Sequence, residues 1–172
     1  MIKYLLLFLL SYTLLFSSEY ILDNTKSEVY YDAKKEQFFS THTIISINKS
    51  LNGLIQKVDD KYSGKLSIQV TGFDSQSSMR DDNVDEMLQA EAYPFITYKY
   101  TIVDNHASGI MTINNVSKKI NFPVKIKEDD NGLYIEGSVK IKYTDFGLQT
   151  PSNLIVTAHE DLIIGAKLYF IK

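Results

Sequence analysis

From Ser27 onward the chain alternates apolar and polar side chains with a period of two, in runs separated by turn residues. This is the pattern of antiparallel strands that bury one face. Leu66, Ile68 and Val70 share a face between Lys65 and Thr71, and Ile96, Tyr98, Tyr100 and Ile102 share another around Thr97, Lys99 and Thr101. Ile120, Phe122, Val124 and Ile126 alternate with Asn121, Pro123, Lys125 and Lys127. After the polar turn Glu128-Asp-Asp-Asn-Gly132 the phase resumes with Leu133, Ile135, Val139 and Ile141, so these two runs predict a hairpin. Asn114-Asn115 predicts a tight turn before it, because Asn tolerates the positive φ of a primed turn. Leu162 to Ile171 is apolar on both phases and is expected to be the most enclosed strand.

One stretch follows a different period. Between Ser77 and Ala90, Val84, Met87 and Leu88 fall on one stripe at helical spacing, and Ser78 with Asp81 fits a capping box. The helix is expected to end before Tyr93-Pro94, since the residue before a proline is pushed into extended geometry. About eight strands and one helix, with few prolines and no repeat, predict an all-β closed up-and-down barrel or a sandwich.

The first residues read differently again. Met1-Ile-Lys3 is followed by an apolar run from Tyr4 to Phe16, and then by Ser17-Ser18 ahead of the first acid, Glu19. This is the layout of a secretory signal over residues 1–18, leaving a domain over 19–172. As a helix, the run rises only about 20 Å, against a bilayer core of roughly 30 Å, so a stable membrane span is not expected. The residues before the small pair are large, which makes the cleavage motif weaker than the export motif. The expected location is periplasmic or secreted, with retention by an uncleaved amino-terminal segment as the variant.

Composition then removes whole classes of chemistry. The chain has no Cys, which excludes a disulfide framework, a thiolate metal site and a cysteine nucleophile. Its 18 Lys+Arg against 21 Asp+Glu, without a basic run, argue against nucleic-acid binding. His42, His106 and His159 lack the close spacing of a local metal motif. Asp81-x-Asn83-x-Asp85 opens like a calcium loop but has Glu86 and Ala92 where Gly and Glu are needed. Asp145-Phe146-Gly147 stands without the other kinase motifs, and no Gly-x-Ser-x-Gly elbow occurs. No cofactor, metal or catalytic residue is therefore expected. With 12 Tyr and 9 Phe placed among smaller aliphatics, the strands enclose either a solid core or a cavity for one small ligand.

Four ordered stretches carry a resemblance. Tyr20-Ile-Leu-Asp23 with Ser27-Glu-Val-Tyr-Tyr31, Arg80-Asp81 followed by Tyr93-Pro94-Phe-Ile-Thr-Tyr98, Gly109-Ile-Met-Thr-Ile-Asn-Asn-Val-Ser-Lys-Lys119, and Ile141-Lys-Tyr-Thr-Asp-Phe-Gly-Leu148 together resemble the YceI-like family of lipocalin-like exported proteins. The chain departs from it in having Asn83 where many relatives have His, and Ser46 and Asn115 in place of glycines.

The resemblance implies an eight-stranded antiparallel lipocalin-like barrel with one short helix packed against it. It also implies an apolar tunnel for a long-chain lipid: a polyisoprenoid, quinone-like or fatty-acyl or amide chain. Carried over by position, the tunnel lining is Val29, Tyr31, Leu66, Ile68, Val70, Ile96, Tyr98, Tyr100, Phe122, Val124, Ile126, Ile135, Val139 and Ile141, with Phe146 at the wall. Arg80 is expected either to meet a ligand head group or, with Asp81, to tie the helix to the barrel. The rival expectation is a structural or interaction barrel of the cell envelope with a filled core. An enzymatic reading requires His42 or His159 inside the tunnel beside a carboxylate. A homodimer is compatible with lipid transfer, though no residue signals one.

Overall fold

A computed structural model describes residues 17–37, 40–149 and 156–172. Most of the expected leader lies outside the described residues, but its last two positions, Ser17 and Ser18, begin the first strand and pair with Val58 and Lys57. The strands are β1 (Ser17–Leu22), β2 (Glu28–Gln37), β3 (Ser40–Asn48), β4 (Leu51–Val58), β5 (Lys61–Gln69), the two-residue β6 (Phe73–Asp74), β7 (Phe95–Val103), β8 (His106–Ile113), β9 (Val116–Asp129), β10 (Gly132–Lys142) and β11 (Val156–Ile171). One helix, α1 (Ser78–Met87), sits between β6 and β7.

These strands close into an eight-stranded antiparallel barrel. β1 and β2 are two halves of one wall strand, interrupted at residues 23–27, and β3 and β4 are two halves of the next, interrupted at Lys49-Ser50. The ring then runs through β5, β7, β8, β9, β10 and β11, and it closes where Ile21 and Leu22 pair with Ile171 and Phe170. Closure removes the exposed sheet edges that an open sandwich would leave. The alternation read from the sequence is the alternation of the wall: Leu66, Ile68, Ile96, Tyr98 and Ile102 are buried, while Lys65, Lys99 and Val103 face out.

Turns follow side-chain chemistry. Asn114 and Asn115 both take positive φ, 46° and 62°, as a primed hairpin turn requires, and Asp104-Asn105 makes the same turn between β7 and β8 at 50° and 59°. The expected turn at 128–132 is shorter than the sequence indicates: β9 extends through Glu128 and Asp129, and Glu128 points into the barrel.

Two further expectations are corrected. α1 has no side-chain cap from Ser77 or Ser78. Asp81 instead accepts from the Ser75 amide and hydroxyl at 3.1 and 2.5 Å, while Arg80 donates to the Ser75 hydroxyl and carbonyl at 2.8 and 2.7 Å. The bonds that a capping box would have made are used to fasten the helix to the loop before it. β11 is also not enclosed on both faces. Leu168 and Phe170 are buried, but Ile163, Tyr169 and Ile171 stand on the outer face, because a barrel strand has only one inward side.

Candidate functional site

The barrel interior gathers most of the residues expected to line a tunnel. Val29, Leu66, Ile68, Ile96, Tyr98 and Tyr100 are buried on the inward phase of their strands, and Val70 is buried in the 3-10 turn that follows β5. Val124, Ile135, Ile141 and Phe146 are buried with them, and Phe122, Ile126 and Val139 are half-buried against the same cluster. Tyr31 is half-buried, its ring 5.3 Å from that of Phe73, and burial pushes its hydroxyl pKa up. Arg80 stands apart, because both of its hydrogen bonds go to Ser75.

Three aromatics occupy the middle of the interior. The Tyr98 ring stacks on Tyr100 at 5.1 Å and on Phe122 at 5.9 Å. Room for Tyr100 comes from its cross-strand neighbours, Gly64 and Gly109. A Cβ on Gly109 would lie 2.1 Å from the Lys99 carbonyl oxygen and 2.7 Å from the Tyr100 Cα, so only glycine fits there. Tyr98 donates its hydroxyl to the Ile120 carbonyl at 3.0 Å, and burial raises its pKa to about 12. Tyr100 is more deeply buried and its hydroxyl has no partner among the described residues; desolvation, with Tyr98 adding, pushes its pKa well above the usual phenol value. The buried hydroxyl of Tyr143 is likewise unpartnered among the described residues.

Glu128 stands at one end of the barrel, where three donors meet it. Tyr20 donates to it at 2.5 Å, Tyr62 at 2.7 Å and Lys57 at 2.6 Å. Burial alone would raise this carboxyl, but the three donors outweigh it and hold the pKa at about 2. Neither Tyr20, Tyr62 nor Glu128 was expected from the sequence to act at the interior. The available signal was phase, since Glu128 continues the inward series Val124, Ile126. At the other end, α1 lies across the barrel: Val84 and Met87 pack on the core, and Leu88 just beyond the helix is buried.

The wall has a seam between β9 and β10. β9 pairs with β8 through Val116–Pro123 and with β10 only through Val124–Asp129, so Ser138–Lys142 of β10 have no partner on β9. Pro123, which has no amide to donate, marks the switch. A cavity of about 470 Å³ opens along the seam, lined by Ile120, Ile141 and Phe146 together with four lysines and two aspartates.

The histidines lie elsewhere. His42 and His106 are exposed, and His159 meets Glu36 at 3.2 Å with its side chain 40% exposed. None reaches the aromatic stack.

The fold is shared with solved structures of low sequence identity. Burkholderia cenocepacia BcnA matches with a TM-score of 0.72 at 21% identity, over 86% of this chain and 98% of that one. A polyisoprenoid binding domain from Saccharophagus degradans, implicated in plant cell wall breakdown, matches with a TM-score of 0.72 at 13% identity, over 88% and 97%. The Campylobacter jejuni YCEI protein matches with a TM-score of 0.59 at 18% identity, over 74% and 84%. No curated protein matches the chain. Residues 20–168 match the YceI-like domain, and the chain belongs to that family.

Proposed function

We propose that this protein is an exported, non-enzymatic carrier that holds one long apolar chain in its barrel: a polyisoprenoid, a quinone-like lipid or a fatty-acyl or amide chain. The observation that carries this reading is the Tyr100 hydroxyl, buried among apolar side chains without a partner among the described residues. A buried hydroxyl left unbonded costs about 1–3 kcal/mol, and a carbonyl or ether oxygen on a bound lipid supplies the missing acceptor. A relative of the same fold is described as polyisoprenoid-binding, which supports the same ligand class. Burying a dozen carbons contributes about 10 kcal/mol, enough to offset much of the lost translational and rotational freedom. Apolar walls discriminate little between chain types, so selectivity falls to the few polar groups.

Residues 1–18 are read as the export signal, which places the carrier in the periplasm or outside the cell, with a retained amino-terminal segment as its anchored form. The residues proposed to touch the chain are those around the aromatic stack, with Phe122, Ile141 and Phe146 nearest the seam. Arg80, committed to Ser75, is assigned to holding the helix.

A second reading has its own observation. The stacked rings of Tyr98, Tyr100 and Phe122 occupy the middle of the interior, as in a filled structural barrel. Organic extraction and mass spectrometry of protein purified from its own compartment separates the two. One lipid per protein is expected. Lipid-free protein that takes up neither a prenyl nor a fatty-acyl probe would leave the filled barrel as the answer.

A further inference from the structure

We infer that the outer face of β4, β5, β7, β8 and the β8-paired part of β9, Val116–Pro123, docks on an anionic lipid surface. Strand register places Leu54, Lys65, Lys99, Ile110 and Lys119 in one continuous row across five strands. The row continues past Leu54 to Ile21 and Ile171. Its apolar members are exposed: Ile21 by 57%, Leu54 by 40%, Ile110 by 45% and Ile171 by 47%.

The flanking rows are uncharged. One runs from Gln56 through Ser63, Thr101 and Ser108 to Asn121, and the other from Asn52 through Ser67, Thr97 and Thr112 to Ser117. No acid falls on these three rows between β4 and β9, in a chain with 21 Asp+Glu. Lys65 stands directly opposite Lys99, a like-charge pair that destabilises a sheet unless an anion lies over it. None of Lys65, Lys99 and Lys119 pairs with an acid among the described residues. A cavity of about 490 Å³ lies on this face, with these three lysines on its lining beside Ser63, Thr101 and Ser108.

The occupant follows from the mixture. Cationic heads on long stems, interleaved with exposed aliphatic side chains, complement a layer of anionic headgroups above acyl chains. Hydroxyl groups beside the lysines add donors for phosphate oxygens. The face lies outside the barrel, so this docking is independent of whether the interior holds a lipid.

The test is sedimentation of the full-length protein with vesicles of phosphatidylcholine alone and of equal parts phosphatidylcholine and phosphatidylglycerol. Partition is expected to favour the anionic vesicles and to weaken as salt rises. The triple change Lys65→Gln, Lys99→Gln and Lys119→Gln is expected to lower that partition by roughly ten- to a hundred-fold. Lys34→Gln, Lys125→Gln and Lys127→Gln, the same charge change elsewhere, is expected to leave it largely intact. The single change Lys99→Gln, with a loss of about fivefold, serves if a triple variant unfolds. Equal partition onto both vesicles, equal losses in the two triple variants, or release by inorganic phosphate at matched ionic strength would overturn the proposal. The last result would indicate a free-anion site instead. Recovery of extracted lipid from the variants remains unchanged in either case, which separates this surface from the carrier reading.

Discussion

The Tyr20 hydroxyl donates to the Glu128 carboxylate at 2.5 Å, joining β1 to β9 although the two strands are not neighbours in the sheet. With Tyr62 and Lys57 on the same carboxylate, this contact spans the end of the barrel and fastens opposite walls together.

Glu128 therefore links stability to pH. Its folded pKa, about 2, lies below the ordinary carboxylate value of 4.5. Its contribution is fully present above that ordinary value and is lost as pH falls towards 2. Urea unfolding between neutral and acidic pH is expected to show stability declining across this window. Glu128→Gln is expected to flatten that decline and to cost about 1–3 kcal/mol at neutral pH, since it discharges the partner of Lys57. An unchanged acid slope in the variant would remove Glu128 from this role.

The two stacked tyrosines should respond oppositely. Tyr98→Phe removes a hydroxyl bonded to the Ile120 carbonyl and is expected to destabilise the protein by about 1 kcal/mol. Tyr100→Phe removes an unpartnered buried hydroxyl and is expected to leave the lipid-free protein equally stable or up to about 1 kcal/mol more so. The same variant is expected to weaken binding of a carbonyl-bearing chain such as a quinone. Chemical denaturation and lipid titration measure the two effects separately.

Gly109→Ala drives a methyl into the Lys99 carbonyl. The strands must move apart beside Tyr100, at an expected cost of about 2–4 kcal/mol. Thermal unfolding is expected to show a fall in Tm of roughly 5–15 °C.

Arg80→Ala tests the fastening of the helix. Both Arg80 bonds end on Ser75, so the variant is expected to speed amide exchange in α1 while β7 and β8 remain protected. Lipid binding is expected to persist. A loss of binding with unchanged helix exchange would reassign Arg80 to the ligand.

Much of the wall was legible from alternation alone. Ile96, Tyr98, Tyr100 and Ile102 are inward because a strand's side chains must alternate, and Asn114-Asn115 turns because Asn accepts positive φ. Glu128 was not legible, because an acid beside two others reads as a solvated turn until its donors arrive from β1, β4 and β5. Asp81 was misplaced for a related reason: its spacing from Ser78 fits a local cap, while its actual partner, Ser75, precedes the helix. Neither the β11 exposure nor the lysine row can be read along one strand, since both depend on which side of the wall is outside.

The sequence by itself determined that this is an all-β chain with one short helix, and its ordered motifs pointed to the YceI-like family, because periodicity and turn chemistry are local properties. Tertiary structure alone decided which tyrosine is satisfied and which is left bare. It also gathered three donors on the Glu128 carboxylate and aligned Lys65, Lys99 and Lys119 into one surface. Those are relations of register and closure between strands far apart in sequence, and they exist only once the barrel has shut.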